Sequence, residues 1–160
     1  MKLKLALAAA VAALAAPAVM SAGAQEADVY INAGYTQFDG DGGGDLGALT
    51  GRVGVGFGRY FAIEGEASFG IADDDGLELD NEIGAFVVGK LPIASTFDIF
   101  GRVGVARIET SPGGSEDGIA YGAGGEFHLT DKDGIRGDWT RHDYDAGDVD
   151  AFNISYVRRF

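Results

Sequence analysis

The sequence predicts an all-β protein, an eight-stranded antiparallel up-and-down transmembrane β-barrel, and three observations predict it. Eight segments of about ten residues alternate apolar or glycine positions with polar or charged ones, the two-residue period of a strand whose faces meet different surroundings. The connections between them alternate between acidic, glycine-rich stretches and tight turns. Charges of both signs fall in mid-strand on the polar parity.

The first segment, 27–37, sets Val29, Ile31, Ala33 and Tyr35 against Asp28, Asn32, Gly34 and Thr36. The second, 48–58, opposes Leu49, Val53, Val55 and Phe57 to Thr50, Arg52, Gly54 and Gly56. In the third, 61–71, Phe61, Ile63, Ala67, Phe69 and Ile71 face away from Glu64, Glu66 and Ser68, the clearest alternation of the set. The fourth, 82–91, has Ile83, Ala85, Val87 and Leu91 against Glu82, Gly84 and Lys90. The fifth, 97–108, has Phe97, Ile99, Val103 and Val105 against Asp98, Arg102 and Gly104. Segment six, 119–129, places Ile119, Tyr121, Ala123, Phe127 and Leu129 opposite Gly122, Gly124, Glu126 and His128. The seventh is the weakest: Ile135 and Trp139 oppose Arg136, Asp138, Thr140 and His142, and Arg141 breaks the apolar parity. The eighth, 151–160, sets Phe152, Ile154, Tyr156 and Phe160 against Asn153, Ser155 and Arg159, with Val157 and Arg158 out of pattern.

The acidic connections fall at 38–47, 72–80, 109–117 and 143–150, and the tight ones at 58–60, 92–96 and 130–134. Long and short connections in alternation are what hairpins give when one rim of a barrel faces outward and the other faces the periplasm. The polar parity collects Arg52, Glu64, Glu66, Glu82, Lys90, Asp98, Arg102, Glu126, Arg136, Asp138 and Arg159. The lumen of an eight-stranded barrel is just wide enough for side chains to fill, so interleaved acids and bases suit a plugged, ion-paired interior. Aromatic residues on the apolar parity cluster near strand ends, where membrane-interface girdles sit. A water-soluble barrel with its faces reversed has the same period and is the alternative.

Lys2 and Lys4 run into an alanine-rich apolar stretch that ends at Pro17 and Ser21–Ala24, the layout of an exported leader cut after Ala24. That division gives a signal peptide at 1–24 and a barrel domain at 25–160. With a formal net charge of −13, made more negative by loss of the two leader lysines, the surface lacks the basic patch that nucleic-acid binding requires. The absence of cysteine excludes disulfides, thiolate chemistry and thiolate metal sites.

His128 has Glu126 two residues before it and His142 has Asp138 four before it, and neither has a serine at a persuasive spacing. No catalytic residue, cofactor site or metal site is therefore assigned. Asp131–Gly134 echoes the start of an EF-hand loop, but the twelfth position is His142, so the stretch reads as a hairpin turn.

Phe160, preceded on its parity by Tyr156, Ile154 and Phe152, is similar to the C-terminal assembly signal of bacterial outer-membrane barrels, with Arg158 standing where an apolar residue is usual. Together with the leader, the glycine-rich strands, the turn at 58–64 and the acidic connections, this pattern resembles the small bacterial outer-membrane β-barrel family, which includes the transmembrane domain of OmpA, OmpX and the opacity-type proteins. The resemblance implies residence in the outer membrane among its lipids and lipopolysaccharide. It also implies delivery by periplasmic chaperones and insertion by the barrel assembly machinery, but no single activity. The expectation for this chain is a monomeric barrel with a structural or surface-interaction role and no catalysis. A narrow porin-like channel and a soluble periplasmic ligand-binding barrel are the alternatives.

Overall fold

The computed structural model describes residues 28–40, 45–72, 78–111 and 114–160; the leader expected at 1–24 lies outside them. Eight strands run in order: β1 (Asp28–Gly40), β2 (Asp45–Phe57), β3 (Phe61–Ala72), β4 (Glu78–Ala94), β5 (Phe97–Ser111), β6 (Gly114–His128), β7 (Asp133–Tyr144) and β8 (Gly147–Arg159). Each pairs antiparallel with its chain neighbour, and β1 pairs with β8 from Tyr30↔Arg159 to Gly40↔Val149, closing the barrel. Closure matters because unpaired backbone N–H and C=O groups cost several kcal/mol each in hydrocarbon, and a barrel leaves no edge.

Turn chemistry follows the residues. Gly58, with φ of 69°, opens the β2–β3 turn in a left-handed conformation that a side chain would strain. In the β6–β7 turn the Thr130 hydroxyl accepts the Lys132 and Asp133 amides at 3.2 and 3.0 Å, and Leu129 N–H donates to the Asp133 carbonyl at 2.8 Å. The echo of a calcium loop there is thus a hairpin.

The strands extend further than the alternation suggests. Much of 38–47, 72–80, 109–117 and 143–150, expected as connections, is paired strand: Phe38 faces Leu46 across β1–β2, Glu109 faces Ser115 across β5–β6, and β7 and β8 are joined by only 145–146. The physical reason is a change of surroundings along each strand. Near this end Asp39, Asp45, Asp80, Glu109 and Asp143 point outward into water, while Phe38, Leu46, Leu79, Ile108 and Tyr144 point inward and pack together with Ala48 and Ala151. Acid and glycine mark a solvated strand here rather than a loop.

Below this collar the polarity reverses. Val105, Ile119 and Ile154 stand on the outside at 62%, 60% and 62% exposure, and Ile63, Leu49, Val87, Val103 and Phe152 join them in a continuous apolar belt. Ile119 in β6 and Leu129, the residue just after its end, are ten steps apart, roughly 33 Å along the chain and roughly 25 Å along the axis at a tilt of about 40°, the height of a membrane-facing band. Outward charges bound it at both ends: Arg107–Asp117 and Arg141–Asp150 toward the collar, Arg158–Asp133 toward the short turns. A water-facing charged exterior, the alternative arrangement, does not hold over this belt.

Candidate functional site

The interior is built by the inward parity of all eight strands. Large side chains fit there because the wall is thinned with glycine: a Cβ on Gly54 would come within 2.1 Å of the Tyr30 ring, so the hydroxyl end of that ring occupies the space a side chain would take on β2.

At mid-height, six of the expected charges form one network. Arg52 on β2 reaches Asp138 on β7 through both terminal nitrogens, at 2.6 and 2.9 Å, and donates its Nε to Glu66 on β3. Arg102 on β5 donates to the same Glu66 oxygen at 2.9 Å and lies 3.6 Å from Asp138. Arg136 on β7 makes a two-pronged pair with Glu64 on β3 and sits 3.5 Å from Asp138. Tyr30 donates its hydroxyl to Glu64 at 2.8 Å. Aromatic faces cover the guanidinium planes: Arg102 lies 3.5 Å from the Phe86 ring centre and Arg136 lies 3.9 Å from that of Phe100. All six charged side chains are buried, and three arginines balance three acids.

The other expected charges stand apart from this network. Glu126 pairs with Arg159, and His128 bonds Asp98 at 2.9 Å with Glu126 at 3.9 Å, forming a small group near the short turns. Lys90 is only partly buried and holds its ammonium 4.3 Å over the Tyr30 ring. Glu82, fully buried, has no Arg or Lys within ion-pair distance among the described residues. Its neighbour is His142, whose Nε2 lies 3.4 Å from Glu82 Oε1. Spacing along β7 points His142 toward Asp138, but Asp138 belongs to Arg52, and His142 meets a carboxylate from β4 instead.

A chain of hydroxyls leads to Glu82. Asn153 donates to Thr36 at 2.8 Å, Thr36 and Thr50 are 2.6 Å apart, Thr50 and Ser68 are 2.8 Å apart, and Ser68 donates to Glu82 Oε2 at 2.9 Å. Above it, His142 stacks on Tyr144 at 5.8 Å and meets Phe38 at 6.1 Å, which places it just beneath the apolar collar. Period-two reading could not find Tyr30, Phe38, Phe86 or Phe100 inside, since it assigns apolar side chains to the lipid face. Their signal is a bulky residue on the polar parity beside a glycine, as with Phe86 and Gly84.

A sequence model of the outer membrane protein beta-barrel domain matches residues 5–160. The chain belongs to this outer-membrane β-barrel family. Its place is the outer membrane of Gram-negative bacteria. The fold is similar to that of OprG from Pseudomonas aeruginosa (TM-score 0.64, 13% identity, covering 83% of this chain and 95% of that one). It is also similar to Ail, the attachment invasion locus protein of Yersinia pestis (TM-score 0.62, 18% identity, 85% and 100% covered), and to Neisserial surface protein A (TM-score 0.58, 15% identity, 86% and 97% covered). No curated protein sequence matches the chain. At these identities the shared property is the barrel, so the interior network must be read on its own chemistry.

Proposed function

We propose that this protein is a closed outer-membrane barrel, neither conducting nor catalytic, whose role is structural or one of surface interaction. The observation that carries the reading is the set of ion pairs running as chords across the lumen. Arg136–Glu64 joins β7 to β3, four strands apart around the wall in either direction, and Arg52–Asp138 joins β2 to β7. An ion crossing this layer must break charge-assisted bonds between fully buried side chains, which disfavours a channel. The histidines argue against acyl transfer by their order of contacts. In a nucleophilic triad the imidazole stands between hydroxyl and carboxylate. Here Ser68 donates directly to Glu82, and the His142 imidazole lies on the far side of the carboxylate, so no imidazole faces the hydroxyl.

The outward row of Phe152, Ile154 and Tyr156 on β8, continued by Phe160 just after it, is the surface we assign to recognition by the barrel assembly machinery after chaperone delivery. Lipopolysaccharide meets the barrel at the Arg107–Asp117 and Arg141–Asp150 border. Ail has been crystallised with the heparin analogue sucrose octasulfate. The acidic collar of this barrel repels polyanions of that kind and favours cationic surface partners. A planar-bilayer recording tests the central reading: purified, heat-modifiable barrel should add no discrete conductance steps. Reproducible steps that vanish on boiling would overturn it in favour of a narrow channel.

A further inference from the structure

We propose that Glu66, Glu82 and His142 form a buried binding site for one first-row divalent metal ion, of which Zn²⁺ is the probe, just beneath the apolar collar. These three side chains come from β3, β4 and β7, all are buried, and one potential ligand atom of each lies within 4.8 Å of the others. A cluster of this kind often serves only as an internal hydrogen-bonded group, and three further observations separate it from that reading.

First, each carboxylate has one oxygen tied and one free. Both arginines reaching Glu66 are bound by Oε2, which leaves Oε1 as a ligand. Ser68 holds Glu82 through Oε2, while Glu82 Oε1 makes no hydrogen bond among the described residues and faces the imidazole. Outer partners that fix one oxygen and present the other are the usual support of a metal-binding carboxylate. Second, His142 is 1% exposed, and neither of its ring nitrogens has a hydrogen-bond partner among the described residues. Had the imidazole been placed to donate to Glu82, it would stand in hydrogen-bond geometry with it. Its Nε2 stands 3.4 Å from Glu82 Oε1, and neither atom makes a hydrogen bond among the described residues. Two ligands at about 2.0–2.1 Å from a tetrahedral Zn²⁺ are roughly 3.3–3.4 Å apart, so the Nε2–Oε1 separation is that of two ligands sharing an ion. Glu66 offers a carboxylate oxygen within 4.8 Å of the other two ligand atoms, so bringing it in needs a closure of at most roughly 1.4 Å.

Third, Glu82 is a fully buried carboxylate with no Arg or Lys partner among the described residues. The arginines at mid-height are matched by Glu64, Glu66 and Asp138, and Arg159 is matched by Glu126, so Glu82 lacks the partner that a buried carboxylate requires. A divalent cation meets that requirement and turns an isolated charge into a ligand. One imidazole with two carboxylates suits Zn²⁺, with Mn²⁺ and Fe²⁺ as chemically related occupants. The collar of Phe38, Leu46, Leu79, Ile108 and Tyr144 closes over the site, so the ion enters as the barrel assembles and exchanges slowly afterwards. This inference does not depend on whether the barrel conducts, since a bound ion would sit in either lumen.

The test is to refold the barrel in detergent with Zn²⁺, strip free ion on a chelating resin, and measure zinc by mass spectrometry in the heat-modifiable fraction. Wild type should retain about one zinc per chain, and His142→Gln and Glu82→Gln, both still heat-modifiable, should each retain less than about a tenth of that. Cobalt refolded in place of zinc should give visible d–d bands in wild type that are lost in His142→Gln. Zinc below about a tenth per chain in folded wild type would overturn the proposal and leave an imidazole–carboxylate contact alone. Equal retention by wild type and His142→Gln would also overturn it, placing the ion on the acidic rim.

Discussion

Replacing Arg136 with methionine should destabilise the barrel by roughly 3–5 kcal/mol, the cost of leaving one partner of a buried ion pair uncompensated. Arg136 and Glu64 are 1% and 0% exposed in their side chains, so solvent cannot take up the lost charge. What remains on Glu64 is the Tyr30 hydroxyl at 2.8 Å, a single hydrogen bond from a neutral donor. Methionine keeps the apolar contact with Phe100, so the loss is mainly electrostatic, and the lower end of the range corresponds to about a hundredfold in the unfolding equilibrium. The double variant Arg136→Met with Glu64→Gln removes both charges and leaves an acceptor for Tyr30, so it should recover at least about 2 kcal/mol of the loss. Denaturant titration in lipid vesicles, read by gel mobility and by the fluorescence of Trp139, the only tryptophan, measures all three proteins. A single-variant loss below about 1 kcal/mol, or a double variant no more stable than the single, would refute the claim that this pair is desolvated and coupled.

Two more predictions follow from the outer face. Ile154→Arg puts a cation in the apolar belt and should cost roughly 2–4 kcal/mol in vesicles if it lies near the midplane, against roughly 0–1 kcal/mol for the same change at Gln37 near the border; equal costs at both sites would mean that the belt is misplaced. Phe160→Ala should lower the amount of barrel inserted by cells while leaving the unfolding midpoint of refolded protein almost unchanged. A parallel loss of both would make Phe160 a stability residue rather than part of an assembly signal.

The parity of the wall was legible because a strand reports its two faces every second residue. Arg52, Glu64, Glu66, Arg102, Arg136 and Asp138 could be placed inside together from sequence alone, though not paired. Pairing depends on which strands lie opposite one another, and nothing local to Arg136 names Glu64, 72 positions away. The same limit hid the meeting of Glu66, Glu82 and His142, whose strands converge only once the barrel is closed. The strand ends at the rim are hidden from the sequence for a different reason. Alternation continues through Phe38–Asp39, Leu46–Asp45 and Ile108–Glu109, but with apolar residues now inward, so a pattern fitted to the membrane band reads the reversal as the end of the strand.

That reversal gives the molecule a waterline. Sinking the barrel by one residue pair, about 5 Å along its axis, would draw Arg107, Asp117, Arg141 and Asp150 into hydrocarbon, and lifting it by the same step would draw in Asp133 and Arg158 from the opposite side. Depth of immersion is therefore fixed by the chain in both directions. A bilayer whose thickness does not match must thin or thicken around the barrel, because the barrel cannot bob.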